Sequence, residues 1–129
     1  MEITYKNKPI LFDDTRAKLP IVLNNRCYFV PWGRRENEEG ALPTMPYIAD
    51  DLLKTGVFAG FKQQLVPILA DTYKTEDNRG YLVPDVVQPG QYIQGLMIEL
   101  NNEKRVYVVG LIFKGSGGHY VAPKMMWRR

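Results

Sequence analysis

Hydrophobic and polar positions in this chain alternate over short distances, and helical spacing is scarce. Residues 91–100 (Gln-Tyr-Ile-Gln-Gly-Leu-Met-Ile-Glu-Leu) and 105–113 (Arg-Val-Tyr-Val-Val-Gly-Leu-Ile-Phe) are the densest apolar runs. Their aromatic and β-branched content suits a pleated, buried surface, which predicts two strands. Asn101-Asn102-Glu103-Lys104 lies between them. Asn tolerates positive φ, so a tight hairpin is predicted there. Leu19–Leu23 and Cys27–Trp32 predict a second hairpin about Asn24-Asn25-Arg26. Leu65–Ala70 carries a central Pro67, which predicts an edge or irregular strand. Tyr81–Pro84 reads as a short strand before the turn Gln88-Pro89-Gly90. Gly95 and Gly110 interrupt the two longest runs, and glycine inside a strand marks a bulge or sharp bend. A curved sheet is expected.

The best helical segment is Ile48–Thr55. Asp50 and Asp51 fall early, Lys54 falls late, and Gly56 stands where a helix stop belongs. Val57–Gln64 is a second candidate. Gly115–Gly118 predicts a flexible loop leading to His119. Together these elements predict an α+β, mainly β fold: a small curved antiparallel sheet or open β-barrel with one or two short helices.

The length of 129 residues fits a single domain, 1–129, with no repeat, low-complexity tract or long linker. Eleven Gly and nine Pro exclude a helix bundle. No apolar stretch approaches the roughly 20 residues of a membrane helix. Met1–Lys6 does not open a signal peptide, so a cytoplasmic protein with no membrane partner is expected. The single cysteine, Cys27, excludes an intramolecular disulfide and a cysteine-rich metal site. It falls in a β-like run, where a buried small hydrophobe is expected. There is no Cys/His cluster and no phosphate-cradling glycine fingerprint, so neither a metal nor a cofactor is expected.

Charge is unevenly distributed. The chain totals +3, but residues 1–103 hold 11 Lys and Arg against 14 Asp and Glu. The remainder holds Lys104, Arg105, Lys114, Lys124, Arg128 and Arg129 with no acid. Such a segment either attracts a polyanion or folds back on the acidic body.

His119 is the one histidine and the natural candidate for acid/base chemistry, against an ordinary surface role. Asp50 and Asp51 are the candidate acids, although their position also suits the dipole of a helix start. Glu36, Glu38 and Glu39 read as solvated loop residues. Trp32-Gly33-Arg34-Arg35 places an aromatic plane beside two guanidiniums, a base-stacking and phosphate-contacting pair. Otherwise Trp32 plugs the core and Gly33 turns both arginines outward. Tyr120, Lys124, Trp127, Arg128 and Arg129 form a second such cluster. Trp32, Arg34, Arg35, His119, Lys124, Trp127, Arg128 and Arg129 would together line a single-strand groove.

Read in order, several blocks resemble the SOS response-associated peptidase-like (SRAP) domain. They are Leu19–Leu23 with Pro31-Trp32-Gly33, Ala49-Asp50-Asp51, Leu65–Tyr73, Gln94-Gly95-Leu96 and His119–Pro123. That resemblance implies a curved, barrel-like domain that binds single-stranded DNA and links covalently to abasic sites through a cysteine at position 2. Here position 2 is Glu2, so the covalent nucleophile is missing. Asp50 or Asp51 meets the family's glutamate and His119 its histidine. The chain is also similar, through Trp32-Gly33-Arg34-Arg35 and Tyr92-Ile93-Gln94-Gly95-Leu96, to small proteins of phages and other mobile elements of the integron-cassette type. These proteins carry no assigned activity.

The leading expectation is a non-covalent module for single-stranded DNA or RNA, without catalysis. The alternative is a small-molecule or protein-binding domain with an apolar cleft and no nucleic-acid role. An enzyme using His119 with Asp50 or Asp51 lacks an activated nucleophile. A homodimer formed through an exposed strand edge near 105–113 is a further expectation.

Overall fold

The computed structural model of the chain describes residues 1–76, 82–115 and 118–128. Tyr81, residues 116–117 of the predicted loop and Arg129 lie outside them. The mainly β, α+β expectation holds. The described elements are twelve strands and one short helix, arranged in antiparallel sheets that are not closed into a barrel.

Hairpins organise the smaller sheet. Strands β1 (Glu2–Tyr5) and β2 (Lys8–Leu11) turn at Lys6 and Asn7, both at positive φ. Strands β7 (Thr72–Glu76) and β8 (Leu82–Val86) complete the order β2-β1-β7-β8. The larger sheet contains β3 (Lys18–Leu23), β4 (Arg26–Pro31), β6 (Lys62–Ile68), β9 (Gln91–Leu100), β10 (Glu103–Gly115) and β11 (Gly118–Pro123). They run in the order β11-β10-β9-β6-β3-β4. Both predicted hairpins form. Asn24-Asn25 and Asn101-Asn102 occupy positive φ in pairs, the conformation whose twist matches antiparallel strands.

The two strand glycines mark a fork in this sheet. Glu103–Val108 of β10 pairs with β9, whereas Gly110–Gly115 pairs with β11. The start of β9 takes a different neighbour, β12 (Met125–Trp127). Lys124 sits at the crossing: its N–H donates to the Val109 carbonyl, and its own carbonyl accepts from Gln94 N–H, both at 2.8 Å. A Cβ at Gly95 would stand 2.7 Å from Ile68 Cδ1, and one at Gly110 would stand 2.7 Å from Val121 Cγ1. At both positions a neighbouring side chain closes over the backbone and would have to shift to admit a Cβ.

Two clusters bury the apolar residues. Ile3, Leu19, Ile21, Trp32, Val66, Ile68, Ile93, Met97, Val106 and Val108 form one. Leu42, Ile48, Phe58, Leu96, Ile98, Tyr107 and Val109 form the other. Consecutive residues of β9 and β10 thus serve opposite clusters, because successive side chains point to opposite faces of a strand. Burial on both faces explains why these two segments are the densest apolar runs.

Three expectations are corrected. Val57–Gln64 is not a helix: its end belongs to β6, where Gln64 and Leu65 pair with Met97 and Leu96, and Phe58 enters the second cluster. Of the edge or irregular strand expected at Pro67, the edge is corrected: β6 lies inside the sheet, between β9 and β3. Leu69 N–H, two residues on, points to Pro20 of β3, so the missing donor of Pro67 faces the side where β6 and β3 register at only Ile21 and Ile68. Cys27 is exposed, not the buried small hydrophobe expected; β10 itself is flanked by β9, by β11 and, over Val108–Gly110, by the short β5 (Tyr47–Ala49). The helix α1 (Asp50–Lys54) forms as expected, with Asp50 and Lys54 3.2 Å apart and Gly56 at positive φ just past its end.

Candidate functional site

The two aromatic-basic clusters part company in three dimensions. Trp32 follows β4, and its side chain is 0% exposed within the first cluster. The indole N–H donates to the Pro46 carbonyl at 2.9 Å, and Phe12 meets the ring edge to face. A base therefore cannot stack on Trp32, which corrects its assignment to a binding groove. Its backbone N–H binds the Ala17 carbonyl, and Gly33 N–H binds the Val106 carbonyl. One parallel bridge, Trp32 to Val106, thus draws the end of β4 toward β10.

Gly33 has a φ of +52°, and a Cβ there would run into the Met45 carbonyl and the Phe12 ring. The turn does not send the arginines outward. Arg34 donates from Nε to the Leu42 carbonyl at 2.5 Å and from Nη1 to the Glu38 carbonyl at 2.6 Å. Arg35 is only 8% exposed. It donates from Nε to the Phe12 carbonyl, lies over the Phe12 ring at 4.2 Å, and pairs with Glu38 at 3.2 Å. Arg105 joins from β10, pairing with Glu38 and Glu103 and donating to the Gly33 carbonyl. Arg34 and Arg35 are therefore staples of the loop that brings Leu42 and Met45 over the second cluster. Their assignment to phosphate contacts is corrected: Nε and Nη1 of both are bound within the protein, and Arg35, whose Nη2 has no partner among the described residues, is sealed from solvent.

Glu38 is the hub of this network, not a solvated loop residue. Desolvation acts to raise its pKa. Hydrogen bonds from Arg35 and the charges of Arg105 and Arg35 outweigh it, so the carboxyl titrates below its ordinary value. Asp50 behaves alike. Burial opposes ionisation, but Lys124 at 3.1 Å and Lys54 hold its pKa below the ordinary value. Lys124 is accordingly committed to Asp50, as Arg105 is to its glutamates. Two of the six cations of the basic C-terminal segment are thus paired with carboxylates of the acidic body.

The catalytic candidates do not share a hollow. His119 lines one of about 300 Å³ with Met1, Tyr47, Glu76 and Tyr120. Asp50 and Asp51 line another of about 250 Å³ with Lys54 and Phe113. The stacked pair Phe113 and Tyr120, with ring centroids 5.2 Å apart, contributes one ring to each hollow. Glu2, at the position where the SRAP family carries cysteine, pairs with Lys74 at 3.5 Å.

Trp127 is different. At 62% exposed it is the most exposed large apolar side chain among the described residues. It lines an open groove of about 700 Å³ with Val22, Asn25, Pro67, Tyr92 and Arg128. The groove is built where β12 replaces β10 beside β9: Met126 pairs with Tyr92 and Trp127 with Gln91. Of the predicted binding residues that are described, Trp127 and Arg128 meet in this groove and the others do not line it. Tyr92 and Asn25 were missed in the sequence, because only the fork in the sheet sets them beside the C-terminal strand.

No family model, curated protein or solved structure matches the chain. Among the described residues, no helix is long and apolar enough to cross a membrane.

Proposed function

We propose that this protein is a non-covalent binder of single-stranded DNA or RNA, with the Trp127 groove as its base-stacking site. The observation that carries the reading is an exposed tryptophan beside Tyr92 and Arg128 in an open groove. Aromatic faces accept any base by stacking, and an adjacent cation meets the phosphate, which gives sequence-tolerant binding. The ordered blocks that resemble the SRAP domain point the same way. Glu2, held by Lys74, favours binding without the covalent step that family performs.

Intrinsic fluorescence tests this directly. The chain has two tryptophans, and Trp32 is sealed in the core. Quenching by an added oligonucleotide therefore reports on Trp127. Binding should weaken steeply with salt as phosphate contacts release counterions. Titration at low salt should quench wild-type emission and leave Trp127→Phe unaltered. Absence of quenching and of a gel shift at tens of micromolar protein would refute the reading.

A small-molecule role finds its support in the His119 hollow, whose volume lies at the lower end for ligand pockets. A thermal-shift screen with and without His119→Ala separates the two. Stabilisation by a solute that depends on His119, with no response to oligonucleotides, favours the small molecule.

A further inference from the structure

A second hollow, of about 470 Å³, lies beside the Trp127 groove. Tyr5, Lys6, Lys8, Ile10, Lys18, Cys27 and Phe29 line it. Three lysines converge there from β1–β2 and β3, and no carboxylate is among its described lining residues. Asp71 approaches, but it accepts the Lys6 backbone N–H at 2.7 Å, while the Lys6 ammonium sits 5.4 Å from the Tyr5 ring centre. Among the described residues, none of the three ammoniums is in an ion pair. Phe29 is 57% exposed and meets Tyr5 in an edge contact.

This hollow adjoins the groove. Val22 lines the groove and Cys27 lines the hollow, and the two are opposite partners across the β3–β4 hairpin. Directly opposed residues of antiparallel strands project on the same side. One surface therefore runs from Trp127 and Arg128, past Val22 and Cys27, to Phe29 and the lysines. Like charges without acidic partners disfavour a second copy of this chain, whose β4 edge would bring the same lysines. They favour a polyanion with flat apolar groups.

We infer that Lys6, Lys8 and Lys18 form the phosphate-binding continuation of the Trp127 groove, so that one single strand spans both. The inference rests on the proposed single-strand binding and adds its path across the protein. Bases stack at Trp127 and Phe29, and the backbone between them is drawn to the ammoniums.

Cys27, the one cysteine, is exposed within the second hollow and reports its occupancy. The test uses oligodeoxythymidine of about four and about twelve nucleotides, lengths within the range that single domains of this kind cover. Trp127 emission and the rate of Cys27 reaction with a thiol reagent are followed together. Both lengths should quench Trp127, while only the longer should slow Cys27 labelling, by fivefold or more. The triple variant Lys6→Gln, Lys8→Gln, Lys18→Gln alters exposed side chains, and its melting temperature confirms folding. It should lose at least tenfold affinity for the longer strand alone, and its log Kd against log salt slope should fall by about 2, since each single-strand phosphate contact contributes about 0.7. Quenching with unchanged Cys27 labelling and unchanged slope overturns this path and leaves the groove intact. No quenching by either length overturns both readings. Equal protection of Cys27 by poly-glutamate overturns the nucleic-acid occupant in favour of an acidic protein segment.

Discussion

Trp32-Gly33-Arg34-Arg35 and the segment from Tyr120 to Arg128 look alike along the chain: each sets an aromatic beside cations. Their fates are opposite. Trp32 lies at the seam where the end of β4 reaches β10, between Phe12 and the Pro46 carbonyl. Arg34 and Arg35 then turn Nε and Nη1 to backbone carbonyls and Glu38. Trp127 closes a strand at the outer side of the fork, and its ring stays in solvent. The difference lies in what surrounds each cluster. The first is followed by a loop that supplies a carboxylate and several carbonyls. The second lies on a short strand beside β9, and the Trp127 ring is left 62% exposed. Composition cannot distinguish a staple from a binding surface; the supply of acceptors does.

Substitutions should separate the two regions sharply. Trp32→Ala, a fully buried truncation, should cost about 3–5 kcal/mol in urea unfolding. Trp127→Ala should stay within about 0.5 kcal/mol of wild type. Equal losses would erase the distinction. Glu38→Gln comes next. It leaves two poorly exposed guanidiniums without their shared charge, and a loss of about 2–3 kcal/mol at neutral pH is expected, below the full cost of breaking a deeply buried pair.

The pH dependence sharpens the same point. Glu38 and Asp50 both titrate below their ordinary values in the folded chain. Their ionised forms therefore add stability that is fully present above the unfolded values of about 4 and lost as pH falls through the folded ones. Stability should be level above about pH 5 and decline below it. The decline should be shallower in Glu38→Gln, and an identical acid limb would show that the network carries no such coupling. The smallest effect concerns binding alone. Trp127→Ala should weaken oligonucleotide affinity by about 1–3 kcal/mol, the value of one stacked base, while the conservative Trp32→Phe, if it folds, should leave it unchanged.

Much of the scaffold was legible because it rests on local rules. Asn24-Asn25 and Asn101-Asn102 announced their turns, since Asn accepts positive φ where most residues resist it. Asp50, Lys54 and Gly56 announced a helix of the right place and sense. The hairpin at Lys6 and Asn7 was missed, because its flanking strands are four residues each and barely alternate. The Val57–Gln64 segment misled for the opposite reason. Its local pattern tolerates a helix, but β9 offered a partner for backbone groups from Lys62 onward, and tertiary pairing outweighs weak propensity.

The candidate site was half visible. Trp127 and Arg128 could be picked out by type, but Tyr92, Asn25 and the three lysines could not, because they are distant in the chain. Periodicity, turn residues and paired charges within a few positions act through neighbouring dihedrals and contacts, so the amino-acid order alone determined the β-rich character, two hairpins and the short helix. Which aromatic-basic cluster would be sealed and which left open depended on sheet order. Gly95 and Gly110 permit the fork, but only the assembled sheet places β12 beside β9 and leaves Trp127 uncovered. Burial is a property of what packs against a residue, and that neighbour is chosen by the whole chain.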